Sequence, residues 1–170
     1  MSVCNNSNER CIYVDLDGVL VDFDKGVSNI TNGIGRDEYI KTYSVSLLWE
    51  KINMFGSDWW AHLPWMGDGK ILWDWIKNKN CCVLTSCSAR NTGVKAIEGK
   101  TKWIHMNLGS IKNIIVDSWD MKQNYATPTD ILIDDALRNI NQWKDKGGIG
   151  ILHTDSLSTI EQLKTILNEH

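Results

Sequence analysis

The chain has no apolar run approaching the roughly 20 residues that span a bilayer, which argues against a membrane-spanning helix. Its opening segment, Met1 to Arg10, is polar and lacks the apolar stretch of a signal peptide, so a soluble, cytoplasmic protein with no membrane partner is expected. Excess positive charge is also missing. A net charge of -3 and a pI near 5.8 argue against a stable nucleic-acid partner, which would favour a basic surface. The five cysteines, at 4, 11, 81, 82 and 87, show no zinc-knuckle or ribbon spacing. Cys87 has no histidine near it in sequence to make it a nucleophile, and Cys81 and Cys82 read as buried thiols in a strand. Internal repeats and low-complexity segments are absent. What remains is an ordinary globular composition of 170 residues, enough for one domain with a small insertion.

The stretch Ile12-Tyr13-Val14-Asp15-Leu16-Asp17-Gly18-Val19-Leu20 organises the rest. Its β-branched and aromatic run predicts a buried parallel strand that delivers two carboxylates to the ligand-binding edge of an open α/β sheet. Acids one residue apart point to opposite sides of a strand. The chain must therefore turn after Asp15 to bring them together, and Gly18 permits that at little steric cost. One carboxylate can attack phosphorus while the other moves protons. The stretch alone leaves open a turn with solvated aspartates, or the metal-binding acids of a sugar transferase.

Two further apolar runs end in chemistry-bearing residues. Val83-Leu84 leads into Thr85-Ser86, whose hydroxyls suit a phosphate oxygen but also suit a helix cap or turn. Ile131-Leu132-Ile133 leads into Asp134-Asp135, acids that would repel Asp15 unless a cation lay between them. That repulsion is the physical case for Mg2+. Lys122 falls between the two runs, although most lysines are simply solvated.

Taken in order, these segments resemble the four motifs of the haloacid dehalogenase-like phosphohydrolase superfamily. Within it, the chain is similar to the 5'(3')-deoxyribonucleotidase branch, which has bacterial and phage-encoded members. The residues carrying the likeness are Asp15 through Phe23, Leu84-Thr85-Ser86, Lys100-Thr101-Lys102-Trp103 and Lys122 through Gly148; it covers about residues 11–152 and is weakest over 24–60. The resemblance implies Asp15 as nucleophile and Asp17 as general acid/base. It implies Thr85, Ser86 and Lys122 as phosphate-binding residues. Mg2+ would lie on the Asp15 carboxylate, the Asp17 carbonyl and Asp135, with Asp134 ligating or orienting through water. The implied substrate is a nucleoside 5'-monophosphate, with deoxyribonucleotides preferred.

The expected fold is a doubly wound, Rossmann-like parallel α/β sheet, formed by residues 1–22 and 65–170, with a helical cap over 23–64 inserted after the first strand. Within the cap, Asn32-Gly33 marks a turn. Helices are expected over Arg36 to Tyr43, around Leu47 to Phe55, and opening on Trp59 behind Ser57-Asp58. Nine tryptophans are many for this length. Trp49, Phe55, Trp59, Trp60 and Trp65 are candidates to face a nucleobase, Trp59 and Trp60 foremost, although aromatics more often pack. Arg90 is a candidate second phosphate ligand. Body helices are expected over Lys70 to Lys79, Lys95 to Leu108 (starting near Lys100 if Gly99 disfavours helix), Arg138 to Lys146, and after Asp155-Ser156. Alternatives are a phosphatase of other small phosphomonoesters or nucleic-acid 3'-ends, and a catalytically idle scaffold. A homodimer is left open.

Overall fold

Alternate residues of each strand sort to opposite faces of one sheet. Ile12, Val14, Cys81, Val83, Ile131 and Ile133 pack into the core on one side, while Tyr13, Cys82, Leu84 and Leu132 pack on the other. Burial on both faces makes these strands near-continuous apolar runs, as parallel sheets require. The computed structural model describes residues 10–87 and 93–168. The strands are β1 (Ile12–Val14), β2 (Cys81–Ser86), β3 (Asn113–Val116), β4 (Ile131–Asp134) and β5 (Ile149–Leu152). All pairings are parallel, in the order β3-β2-β1-β4-β5. Chain order reverses beside β1, so β1 and β4 flank the switch point, where open α/β sheets bind ligands. The fold is the doubly wound α/β sheet expected from the sequence.

Parallel neighbours cannot be joined by tight turns, and helices make the crossovers. Between β1 and β2 lie α1 (Phe23–Ile30), α2 (Arg36–Thr42), α3 (Val45–Ala61) and α4 (Gly69–Ile76). Then come α5 (Gly93–Leu108), a 3-10 helix (Trp119–Tyr125), α6 (Leu137–Asp145) and α7 (Ser156–Leu167). The larger core takes Leu72 and Ile76 of α4, Trp103 and Ile104 of α5, and Ile160 and Leu163 of α7. The smaller takes Ile140 and Trp143 of α6, with Trp143 edge-on to Tyr13 at 5.3 Å. Residues of the inserted stretch, Val27, Leu48, Ile52 and Trp60, join the larger core rather than forming one of their own. No helix among the described residues is long and apolar enough to cross a membrane.

Three local features depart from the sequence expectation. Helix α1 was not foreseen; Asp22 caps it by accepting from the Lys25 amide at 2.8 Å, and Gly26 inside it weakens the helical signal. The 3-10 helix that carries Lys122 has no counterpart among the helices expected from the sequence. Helix α5 begins at Gly93 and runs straight through Gly99. Gly99 is there for packing, since a β-carbon would collide with the Ser57 carbonyl and the Trp60 β-carbon of α3. In α3, Gly56 interrupts the helical path at φ 69° and ψ -156°, and the helix resumes toward Trp59 as the Ser57-Asp58 signal implied.

The Gly99 contact yields a test. Alanine raises helix propensity by up to about 1 kcal/mol, but overpacking costs about 1–3 kcal/mol. Gly99→Ala should therefore lower stability in a urea melt, and a stabilised variant would contradict the close α3–α5 contact.

Candidate active site

The β1 exit is a compact turn. The Leu16 carbonyl accepts from the amides of Val19, Leu20 and Val21, and the Gly18 amide donates to the Val21 carbonyl. Gly18 sits at φ 80°, in the left-handed region. A β-carbon there would strike the Asp135 carboxylate. Conformation and space therefore both demand glycine, and its absence of side chain brings Asp135 against the β1 turn. Asp15 is anchored on both oxygens: Oδ1 accepts from the Leu16 amide at 2.8 Å, and Oδ2 lies 2.8 Å from Lys122 Nζ.

Two buried lysines divide the acids between them. Lys122 Nζ donates to Asp134 Oδ2 at 2.6 Å as well as pairing with Asp15. Burial works against its charge, but Asp15 and then Asp134 outweigh that and hold its pKa above the ordinary lysine value. Lys100, from α5, donates to Asp17 Oδ2 at 2.6 Å, the Ser86 carbonyl at 2.8 Å and Thr85 Oγ1 at 3.0 Å. Its ammonium also lies 5.4 Å from the Trp60 ring centre. The sequence reading gave Lys100 no role. It belongs to the quoted Lys100–Trp103 segment, but only the fold reveals that this turn of α5 lies over the β2 edge.

The structure brings Asp15, Asp17, Thr85, Ser86, Lys122, Asp134 and Asp135 to one edge of the sheet. Their surroundings differ. Thr85 is fully buried beneath Lys100, whereas Ser86 lines the open pocket. Asp134 is fully buried and engaged by Lys122, the Ala136 amide at 2.9 Å, and Asn139 Nδ2 at 2.9 and 3.0 Å. Asn139 was also missed by the sequence reading, and its Oδ1 is buried without a partner. Asp17 Oδ1 is likewise shut from solvent without a partner.

This charge distribution is suited to a cation. Oxygens of Asp15, Asp134 and Asp135 all lie within 4.8 Å of one another. Asp135 is exposed at the pocket, but crowding by the surrounding protein first, then the charges of Asp15 and Asp134, push it up to about 6. Burial, then Asp15, likewise raises Asp134 against the pull of Lys122. Asp17 is raised mainly by burial, with Asp15 adding to it and Lys100 opposing it. Three carboxylates that share a single ammonium form an all-oxygen donor set with negative charge to spare, which suits a hard divalent ion such as Mg2+. Asp15 and Asp135 have the oxygens to hold it, whereas Asp134 is largely committed to Lys122 and Asn139.

A pocket of about 630 Å3 opens above the acids, within the range of small-molecule sites. Its walls include Asp15, Asp17 and Asp135, and also Phe23, Arg36, Leu48, Trp49 and Trp60 from α1 to α3. Trp60 is among the lining residues although it is 3% exposed and packs in the larger core. Trp59 is not among its lining residues; its indole N–H donates to the Gly26 carbonyl at 3.3 Å, and its ring is edge-on to Phe23 and Trp60. Arg90 lies outside the described residues.

No protein-family model and no curated protein matches the chain. Solved structures do. The chain is similar to a hydrolase from Streptococcus pneumoniae TIGR4, at 14% identity and a TM-score of 0.55, covering 94% of this chain and 98% of that one. It is similar to a hydrolase from Pseudomonas syringae, at 12% identity and a TM-score of 0.55, with coverage of 93% and 99%. It is also similar to a HAD-superfamily hydrolase of subfamily IA from Geobacter sulfurreducens, at 12% identity and a TM-score of 0.55, with coverage of 96% and 100%. These likenesses establish the fold as Rossmann-like and of the haloacid dehalogenase type. They do not reach the deoxyribonucleotidase branch.

Two predictions follow from the charges. Removing Lys122 leaves Asp15 and Asp134 buried and uncompensated, so Lys122→Met should cost about 3–5 kcal/mol of stability. A loss under about 1 kcal/mol, on the scale of a surface pair, would mean the pairs are dispensable. The raised Asp135 carboxyl contributes stability that is present below the ordinary carboxylate range and lost as pH rises through about 6. Asp135→Asn should therefore stabilise the metal-free protein more at pH 8 than at pH 5, and should weaken any Mg2+-induced rise in Tm. Equal effects at both pH values would contradict the uncompensated charge.

Proposed function

We propose that this chain is a Mg2+-dependent phosphomonoesterase that works through an aspartyl-phosphate on Asp15 and takes nucleoside 5'-monophosphates, deoxyribonucleotides preferred. The observation that carries the reading is the convergence of Asp15, Asp17 and Asp135 with two buried lysines at the switch point of the sheet. The likeness to hydrolases of the same fold supports the class of reaction.

An Asp15 oxygen attacks phosphorus in line, and the bond to the leaving oxygen breaks. Asp17 gives that oxygen its proton, which its raised pKa favours. Asp17 then takes a proton from water as the water oxygen attacks the same phosphorus, and Asp15 leaves as carboxylate. Lys122 holds the nucleophile in place, and Ser86 offers a hydroxyl to a phosphate oxygen from the pocket wall. Lys100 is shared among Asp17, Thr85 and the Ser86 carbonyl. An arriving phosphate competes for that ammonium and loosens its pull on Asp17, which helps Asp17 keep its proton. Bound Mg2+ spreads the negative charge of phosphate and carboxylates.

Helices α1 to α3 act in this reading as the cap that shields the reaction from water and recognises the substrate. Phe23 and Trp49, both partly buried, offer flat apolar surfaces to a base, with Trp60 packed beneath them and Trp59 outside the lining. A soluble cytoplasmic enzyme fits the same reading.

The test is phosphate release from nucleoside 5'- and 3'-monophosphates, sugar phosphates and an aryl phosphate, with Mg2+ and with EDTA. Mg2+-dependent release concentrated on a few deoxynucleotides is expected. Equal release from sugar phosphates would keep the chemistry and discard the nucleotide. Asp15→Asn should abolish turnover with the fold intact. Asp17→Asn should lose about 100-fold or more in turnover, while its first half-reaction on aryl esters, whose leaving group needs no proton, is spared. Trp60→Ala should change the ranking among bases more than Trp59→Ala does.

A further inference from the structure

Among the described residues, the cations that line or underlie the pocket are engaged, with one exception. Lys122 is paired with Asp15 and Asp134, and Lys100 with Asp17. Arg36 lies 3.4 Å from Asp24 and 3.2 Å from Asp37. Arg138 also lines the pocket, but among the described residues no carboxylate lies within ion-pair distance of it. Its guanidinium lies over the Trp119 ring, 4.4 Å from the ring centre, and Trp119 lines the same wall. Stacking on an aromatic face fixes the plane of a guanidinium and leaves its N–H edge available.

Arg138 and Trp119 also stand at a set position relative to the reacting groups. Arg138 is in the first turn of α6, just beyond Asp135 and next to Asn139. Trp119 opens the 3-10 helix that carries Lys122. The two therefore hang from the same short elements that position the phosphate site. A planar cation stacked on Trp119 at the exposed rim of the pocket, with no carboxylate partner among the described residues, suits a second anionic oxygen pair, which it can grip with two parallel hydrogen bonds.

We infer that Arg138, held by Trp119, is a specificity-determining residue that selects phosphomonoesters carrying a second anionic group, a phosphate or a carboxylate, near the scissile phosphate. The inference rests on the phosphatase reading of the site but not on the nucleoside. Asp15 attacks one phosphate while Arg138 binds the second group without reacting. Trp119 acts as a positioning residue, because it touches Arg138 rather than the reacting atoms.

The experiment compares kcat/KM for three matched substrates: a deoxynucleoside 5'-monophosphate, its 3',5'-bisphosphate, and a small phosphomonoester bearing a carboxylate. Wild type should prefer at least one doubly anionic substrate over the monophosphate by about tenfold or more, as a bidentate charged contact allows. Arg138→Ala should collapse that ratio, mainly through KM. Arg138→Lys should restore only part of it, and Trp119→Ala should lower it while leaving kcat on the preferred substrate largely intact. Preference for the bisphosphate alone would identify the group as phosphate, and for the carboxylate substrate alone as carboxylate. A ratio near one in wild type, or one that Arg138→Ala leaves unchanged, would overturn the inference while the phosphatase reading stands. Direct calorimetry on Asp15→Asn separates the two claims. Arg138-dependent binding of a doubly anionic ligand to Asp15→Asn, with wild type releasing phosphate from none of the three substrates, would keep this site and discard the phosphatase reading.

Discussion

Charge held against its own repulsion is the constraint on which this structure depends. Three carboxylate oxygens, from Asp15, Asp134 and Asp135, are gathered within 4.8 Å of one another at the ends of β1 and β4. Burying one unpaired carboxylate is unfavourable by several kcal/mol, so the arrangement persists only because Lys122 lies between Asp15 and Asp134. Lys100 does the same for Asp17 at the β2 edge. Asp135 is left without a lysine of its own, and desolvation, then the charges of Asp15 and Asp134, raise its pKa. A divalent cation would offset those charges, which is why a metal belongs naturally to this site.

Backbone geometry serves the same end. The tight turn after Asp15 needs Gly18 at positive φ, and the missing β-carbon makes room for Asp135. On the opposite side, Gly99 lets α3 lie against α5, which sets Trp60 into the pocket lining beside Lys100. Helices α1 to α3 are continuous with the main core, so the walls of the pocket are anchored by the hydrophobic packing that holds the sheet. Substrate recognition and fold stability are therefore tied to the same side chains, most plainly at Trp60.

Much of this was legible in the sequence because β-strands buried on both faces leave an unmistakable pattern. The three apolar runs that lead into Asp15, Thr85 and Asp134 became β1, β2 and β4, and the polar residues closing them met at one edge. What the sequence concealed was everything set by helix phase and by small residues. Lys100 lies on a helix with no local mark distinguishing it from Lys95 or Lys102. Asn139 looks like a solvated helical asparagine until α6 is docked and its amide reaches Asp134. Gly99 reads as a helix breaker when its purpose is close packing. Trp59 and Trp60 are adjacent and chemically identical, yet only tertiary packing sends one to the Gly26 carbonyl and the other to the pocket.

The central claim is that Asp15 carries the phosphoryl group, and acid-quenched phosphoenzyme tests it most directly. The chain is mixed with an aryl phosphate and Mg2+, quenched in acid within the first turnover, and mapped by mass spectrometry. Because Asp17 is needed to activate the second water but not to release an aryl leaving group, Asp17→Asn should accumulate a phosphoryl adduct on Asp15 to near-stoichiometric level. An active chain whose Asp15 is never labelled, in wild type or in Asp17→Asn, would contradict the account.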